Sequence, residues 1–397
     1  MTGLLPDLPM QHAAFTPQPG DAVERVLSRA DFDAAEAEIT AWDGYAPTPL
    51  VSLDAIAEQN GVAKVYYKDE GPRFGLGSFK ALGGSYAALR VLAREISKRR
   101  GENITPADIR SGAFAAECAQ ITLVSATDGN HGRSLAWGCQ RFGAPCRIYI
   151  HAEVSEGRAD AMRGLGADVV RIDGDYDASV NLAREEAEAN GWFVVSDTSW
   201  PGYSEPPRDV MAGYGVMTRE ICRELEKPPT HVVLQGGVGG LAAGVIAALV
   251  QHWGDVAPRV VIVEPDRAAC LFASAKAGQA TTVEIAEETI MAGLSCGEPS
   301  EMAWQIISET ARDFLAMPDQ FVAPTVRLLA RPIGQDLAVE AGESAVAGLA
   351  AVIAARSDDA LSKALDLGPA SRVLLIGSEG VTDQEIFDRI MSGEDVA

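Results

Sequence analysis

The sequence predicts an α/β protein of two domains, each with helices layered on both sides of a mainly parallel sheet. Three observations lead there. Short β-branched runs recur at 121–124, 147–150, 168–172 and 193–195, and again at 231–234, 259–264 and 372–376. Alanine-rich stretches with helical periodicity separate them, at 134–142, 156–165 and 178–190 and from 241 onward. Strands this short alternating with helices of about ten residues make βαβ units with right-handed crossovers. The third observation is length, because 397 residues are enough for two cores.

In chain order, residues 1–45 read as an arm rich in Pro and Gly followed by one helix over 21–40. Tyr45-Ala46-Pro47-Thr48-Pro49-Leu50 is an extended lead-in, since its prolines fix φ and remove donors. A helix and an apolar strand over 62–67 come next, then the segment around Lys80 and a helical pattern over 81–100. A polar joint, 101–112, opens the alternating series. After the second group of strands, residues 281–321 look less regular, a helix covers 344–356, and the last strand ends at Gly377-Ser378-Glu379-Gly380. The expected division is a large domain of 1–88 and 214–397 with a smaller one, 89–213, inserted into it and a ligand between them.

Composition excludes several functions. Fifty-six acidic against 33 basic residues give a net charge of −23, so nucleic acid and anionic membrane are not expected partners. No basic and then apolar signal-peptide pattern opens the chain, and the best apolar run, 241–250, is too short for a bilayer. Six cysteines without a CxxC pair point to reduced thiols in the cytoplasm and no metal site, although Cys270 and Cys296 could pair if the fold brings them together.

Three segments carry chemistry. In Gly77-Ser78-Phe79-Lys80-Ala81-Leu82-Gly83-Gly84 a lysine opens a helix among small and apolar neighbours. Desolvation of such an amine makes it a better nucleophile, as a Schiff-base lysine requires; the alternative is a lysine that merely snorkels into water. Gln235-Gly236-Gly237-Val238-Gly239-Gly240-Leu241 follows a strand and opens a helix, so its backbone N–H groups can converge on a phosphate. The same loop fits a dinucleotide fingerprint, with Glu264 ending the next strand at the ribose-binding distance, and taken alone it favours NAD and an oxidoreductase. The third segment is Thr127-Asp128-Gly129-Asn130-His131-Gly132, also at a strand end, where Asp128 reads as a turn residue or as a catalytic carboxylate.

Together these segments, with Pro47-Thr48-Pro49-Leu50 and Gly377-Ser378-Glu379-Gly380, resemble the fold-type II pyridoxal-phosphate (PLP) enzymes over most of the chain. The resemblance implies that Lys80, beside Phe79, holds pyridoxal 5′-phosphate; that Asn130 hydrogen-bonds its phenolic oxygen; that Gly236, Gly237, Val238, Gly239 and Gly240 hold its phosphate; and that Ser378 meets its pyridine nitrogen. Thr127-Asp128-Gly129-Asn130-His131-Gly132-Arg133, Asp197-Thr198-Ser199-Trp200-Pro201-Gly202-Tyr203 and Met291-Ala292-Gly293-Leu294-Ser295-Cys296-Gly297-Glu298-Pro299 narrow it to the diaminopropionate ammonia-lyases. That implies α,β-elimination of D- or L-2,3-diaminopropionate to pyruvate and ammonia, with Lys80 and Asp128 as bases for the two isomers, Asp197 holding the substrate amine, and a homodimer. Serine, threonine or hydroxyaspartate eliminases and a non-catalytic PLP-binding protein are the neighbouring alternatives.

Overall fold

A computed structural model describes residues 4–127, 129–174, 176–394 and 396. In chain order the strands are β1 (Gln11–Ala14), β2 (Leu50–Ser52), β3 (Lys64–Asp69), β4 (Leu123–Ala126), β5 (Cys146–Ile150), β6 (Asp168–Arg171), β7 (Phe193–Val194), β8 (His231–Gln235), β9 (Arg259–Pro265), β10 (Ala311–Met317) and β11 (Arg372–Gly377). The chain divides into two compact units. One comprises Met1–Arg29, Pro47–Ser78 and Met217–Ala397; the other comprises Ala30–Ala46 and Phe79–Val216.

The first unit holds a seven-stranded sheet in the order β1-β10-β9-β8-β11-β3-β2. Its interior pairings are parallel, and β1 and β2 close the two edges antiparallel. Strands β8, β9 and β11 are apolar on both faces because helices cover both sides of a parallel sheet. Strand β10 lies inside the stretch expected to be irregular, where Arg312 and Asp313 disguise it. Asp313 is buried and still satisfied: Arg259 Nε donates to it at 2.7 Å and His12 Nε2 lies 3.0 Å away.

The second unit holds a four-stranded parallel sheet, β6-β5-β4-β7. Residues 30–46 join it rather than the larger unit, for a packing reason. Phe32 is buried so closely over Gly215 that a Cβ there would stand 2.1 Å from the ring, and Trp42 meets Trp137 and Phe142 edge-on at 5.8 and 6.0 Å. The helix expected over 21–40 is two helices, Ala22–Val26 and Arg29–Ile39. The unit also begins at Phe79, ten residues before the expected boundary, and includes the whole helix Lys80–Arg100. The polar joint contains a short helix, Pro106–Arg110, capped reciprocally by Thr105 and Asp108.

Among the described residues no helix is long and apolar enough to cross a membrane, and no His, Cys, Asp and Glu cluster is placed to hold a metal. All six cysteines are free thiols.

Candidate active site

In the first unit the loop after β8 is an anion seat. Gly237 and Gly239 have φ of 60° and 96°, left-handed values that side chains resist, and Gly239 caps the helix Gly240–Trp253. Gly236 N–H donates to Val263 O at 2.9 Å and Gly239 N–H to Gly236 O at 3.2 Å. The amides of Gly237, Val238, Gly240, Leu241 and Ala242 have no acceptor among the described residues. Buried backbone N–H groups are rarely left this way, and five together at a helix N-terminus ask for an anion.

Ser378 stands on the same edge. Strands β8 and β11 are parallel neighbours, so the glycine loop and Ser378 both follow C-terminal strand ends, the usual ligand edge of such sheets. Ser378 is buried, and its hydroxyl makes no hydrogen bond among the described residues. Glu264, the ribose candidate of the dinucleotide reading, is fully buried and turned inward. Its carboxyl accepts from Leu271 N at 3.1 Å and Phe272 N at 2.7 Å, which caps the helix Cys270–Ala277. It is not offered to a ribose.

The second unit carries the amine. Lys80 is the first residue of its helix, at the end where the backbone dipole disfavours a cation. Asp197 offsets that: its Oδ2 is ion-paired directly with Lys80 Nζ, and both side chains remain partly open, at 18% and 15% exposure. Burial pushes the Asp197 carboxyl up, but the adjacent Lys80 ammonium holds it far below the usual carboxylate range, so it is ionised throughout neutral pH. Strand topology brings the pieces together, because Asn130 and His131 follow β4 and Asp197 follows β7, its parallel neighbour. Asn130 opens the helix Asn130–Phe142 after Gly129, and Thr127 Oγ1 accepts from Gly129 N and Gly132 N at 3.2 and 3.3 Å, fixing the loop. Asp128 lies outside the described residues.

Two further side chains face Lys80 and Asp197. His131 Nε2 lies 2.8 Å from Val195 O, a carbonyl that can only accept, so that nitrogen carries the hydrogen. Burial pulls His131 below its ordinary range and keeps it neutral; its Nδ1 has no hydrogen-bond partner among the described residues and sits 4.0 Å from Asp197 Oδ2. The sequence reading missed Tyr214. Its hydroxyl is buried without a settled hydrogen bond; burial raises it well above the usual phenol range, with the Lys80 ammonium opposing and Asp197 adding to the shift. The ring leans on Phe79 with centroids 4.6 Å apart, and Gly83 leaves room for it: a Cβ there would fall 2.4 Å from the ring. The one sequence signal was a large aromatic between two glycines, Gly213 and Gly215, within the helix Glu205–Glu224.

Comparison with known proteins bears on what these groups serve. Residues 41–379 match the family described as pyridoxal-phosphate dependent enzyme. The chain is 37% identical over 358 residues to the diaminopropionate ammonia-lyase of Escherichia coli (strain K12), covering 88% of each, and 36% identical over 365 residues to that of Salmonella typhimurium, covering 87% of this chain and 88% of the other. The crystal structure of the Escherichia coli diaminopropionate ammonia lyase in complex with an aminoacrylate-PLP azomethine reaction intermediate superposes with a TM-score of 0.85 at 34% identity, covering 98% of both chains. The match over most of the length, together with a lysine at a helix start and a glycine-lined anion seat, places this chain in the family of pyridoxal-phosphate dependent enzymes.

Proposed function

We propose that the chain is a PLP-dependent ammonia-lyase that eliminates ammonia from 2,3-diaminopropionate and releases pyruvate. The observation that carries this reading is the Lys80–Asp197 pair, a partly open lysine ammonium held by an ionised carboxylate, in a chain so similar to diaminopropionate ammonia-lyases. The residues fit the cofactor: five amides without acceptors among the described residues suit a dianionic phosphate, and a partly open lysine suits covalent attachment. In this reading residues 236–240 seat the phosphate, Ser378 meets the ring nitrogen, Asn130 donates to the ring oxygen and Lys80 holds the cofactor through Nζ. Bound there, PLP supplies the electron sink that makes loss of a Cα proton feasible.

The protein's own residues do the rest. Asp197 first holds the Lys80 ammonium; a substrate that arrives with a β-ammonium presents the same charge to the same carboxylate, and Asp197 then orients it. Lys80 Nζ, freed as a neutral amine, takes the Cα proton of the L-isomer. Asp128 is assigned the Cα proton of the D-isomer. His131, neutral and with no partner at Nδ1 among the described residues, accepts a hydrogen bond without adding charge, and the Tyr214 hydroxyl donates one to the Lys80 amine once its proton has left. The alternative of a serine, threonine or hydroxyaspartate eliminase needs no second cationic group in its substrate. The reading extends to a homodimeric cytoplasmic enzyme: six free thiols suit a reducing compartment, and light scattering measures the assembly.

Pyruvate release from the D- and L-isomers of 2,3-diaminopropionate, with serine and threonine in parallel, tests the function. Turnover of both isomers well above serine and threonine supports it, and D128N should lose the D-isomer selectively. Faster turnover of serine or threonine would move the chain to the alternative class.

A further inference from the structure

Glu264 is a buried carboxyl in an unusual place. Its side chain lies directly behind the first glycine of the anion seat: a Cβ added to Gly236 would stand 2.4 Å from Glu264 Cγ and 3.0 Å from Oε1. No cation pairs with it among the described residues, and its partners are the amides of Leu271 and Phe272 and the thiol of Cys270, whose Sγ is 3.8 Å from Oε1. The packed elements bring few other titratable groups. Cys270 Sγ also lies 3.4 Å from Gly237 O, and Cys296 Sγ would lie 3.7 Å from a Cβ on Gly237. Burial first, then Glu264, raises the Cys270 thiol far out of the neutral range, so it adds no charge. Lys276, on the same helix, is exposed and stacks over the Phe272 ring at 5.4 Å. On β8 the neighbour is neutral Gln235, and on β10 the residue in register with Glu264 is Ala316.

We propose that Glu264 links the anion seat to a proton: the seat takes a phosphate group together with a protonated Glu264, and loses affinity as alkali removes that proton. The proposal rests on the reading of residues 236–240 as the phosphate seat. Burial holds the Glu264 carboxyl up to about 8, so it is neutral when the seat fills at neutral pH. An anion on the amides in front of Gly236 repels the ionised form further, and by reciprocity the ionised form repels the anion. The sign follows: affinity is level below the value of the empty protein and falls by up to about tenfold per pH unit above it, until the value of the filled protein is reached.

The test uses pyridoxine 5′-phosphate, which carries the phosphate but cannot condense with a lysine, and the full-length protein freed of cofactor. Dissociation constants are measured from about pH 7 to about pH 9.5 for wild type and E264Q. Any titration of the probe is common to both proteins, so the difference in slope belongs to Glu264. The expected result is a wild-type constant that rises about tenfold or more relative to E264Q across that range. A second measurement needs no variant: infrared difference spectra at about pH 8.5 should show protonated carboxyl absorption appearing when the probe, which has no carboxyl, binds wild type. Equal slopes and no carboxyl band, with the probe bound, overturn the inference alone. Failure of the probe to bind at any pH overturns the phosphate seat and the inference with it.

Discussion

Two lysines twelve residues apart in sequence are both held by carboxylates, and the contrast between them separates scaffold from chemistry. Lys68, in the first unit, is fully buried; Nζ donates to Thr48 O at 2.7 Å and pairs with Glu220 Oε2 at 2.7 Å. Arg73 completes the cluster with four contacts to Glu70 and Glu220, all at 2.8 or 2.9 Å. Two buried cations meet two buried carboxylates there, and half-exposed Glu224 stands 4.0 Å from Lys68 Nζ at the rim. Lys80, in the second unit, is ion-paired with Asp197 beside an open flank, with the His131 imidazole and the buried Tyr214 hydroxyl nearby. A charge whose partners are complete cannot exchange them without a large cost. A carboxylate in a partly open ion pair can exchange its cation for an incoming ammonium, and that is what substrate exchange requires. The Lys68 cluster thus anchors the chain that leads into Ser78, and Lys80 stays within reach of an incoming substrate.

Substitutions can break this contrast, and the largest effect is expected at Lys80. K80A should lower pyruvate release by a factor on the order of 10⁴ to 10⁶ while the melting temperature stays close to wild type. D197N should follow, with turnover down by about 10² to 10⁴, because the carboxylate that receives a cationic substrate is gone. E220Q should do the reverse: it leaves two buried cations with Glu70 as their one buried carboxylate, costs about 3 to 5 kcal/mol of stability in denaturant unfolding, and leaves turnover per folded molecule nearly unchanged. Acid sharpens that case. Burial opposes ionisation of Glu220, but Arg73 and Lys68 hold its carboxyl below the ordinary value. Its contribution is therefore complete above the unfolded value of about 4.3 and is lost as pH falls through the lower folded value. The gap between wild type and E220Q should narrow over that acid range. The smallest effect is expected for Y214F, with turnover lowered by up to about tenfold and stability unchanged or raised by up to about 1 kcal/mol, since the hydroxyl it removes is buried away from water. A loss of both would make Tyr214 structural.

The parts of the site that were legible in the sequence are local ones. The glycine loop and the Asn130 turn each follow an apolar strand and open a helix, and Lys80 opens a helix among small and apolar neighbours, so their backbone geometry is written in a few adjacent residues. What depended on tertiary burial was hidden. Glu264 has the spacing of a ribose ligand, and only the helix it caps shows that its carboxyl is turned inward. Tyr214 is 134 residues from Lys80 in sequence, and no periodicity connects them. Strand β10 was concealed by Asp313, a charge that reads as surface until Arg259 and His12 are seen around it. Residues 30–46 went to the wrong side for the same reason, because what places Phe32 and Trp42 is packing against residues more than 90 positions away.

The claim that Lys80 and not Lys68 carries the chemistry can be tested on one sample. The purified protein is loaded with PLP, reduced with borohydride, digested and mapped by mass spectrometry. The account predicts a phosphopyridoxyl group on Lys80 and an unmodified Lys68. Modification at another lysine, or at none, would contradict it.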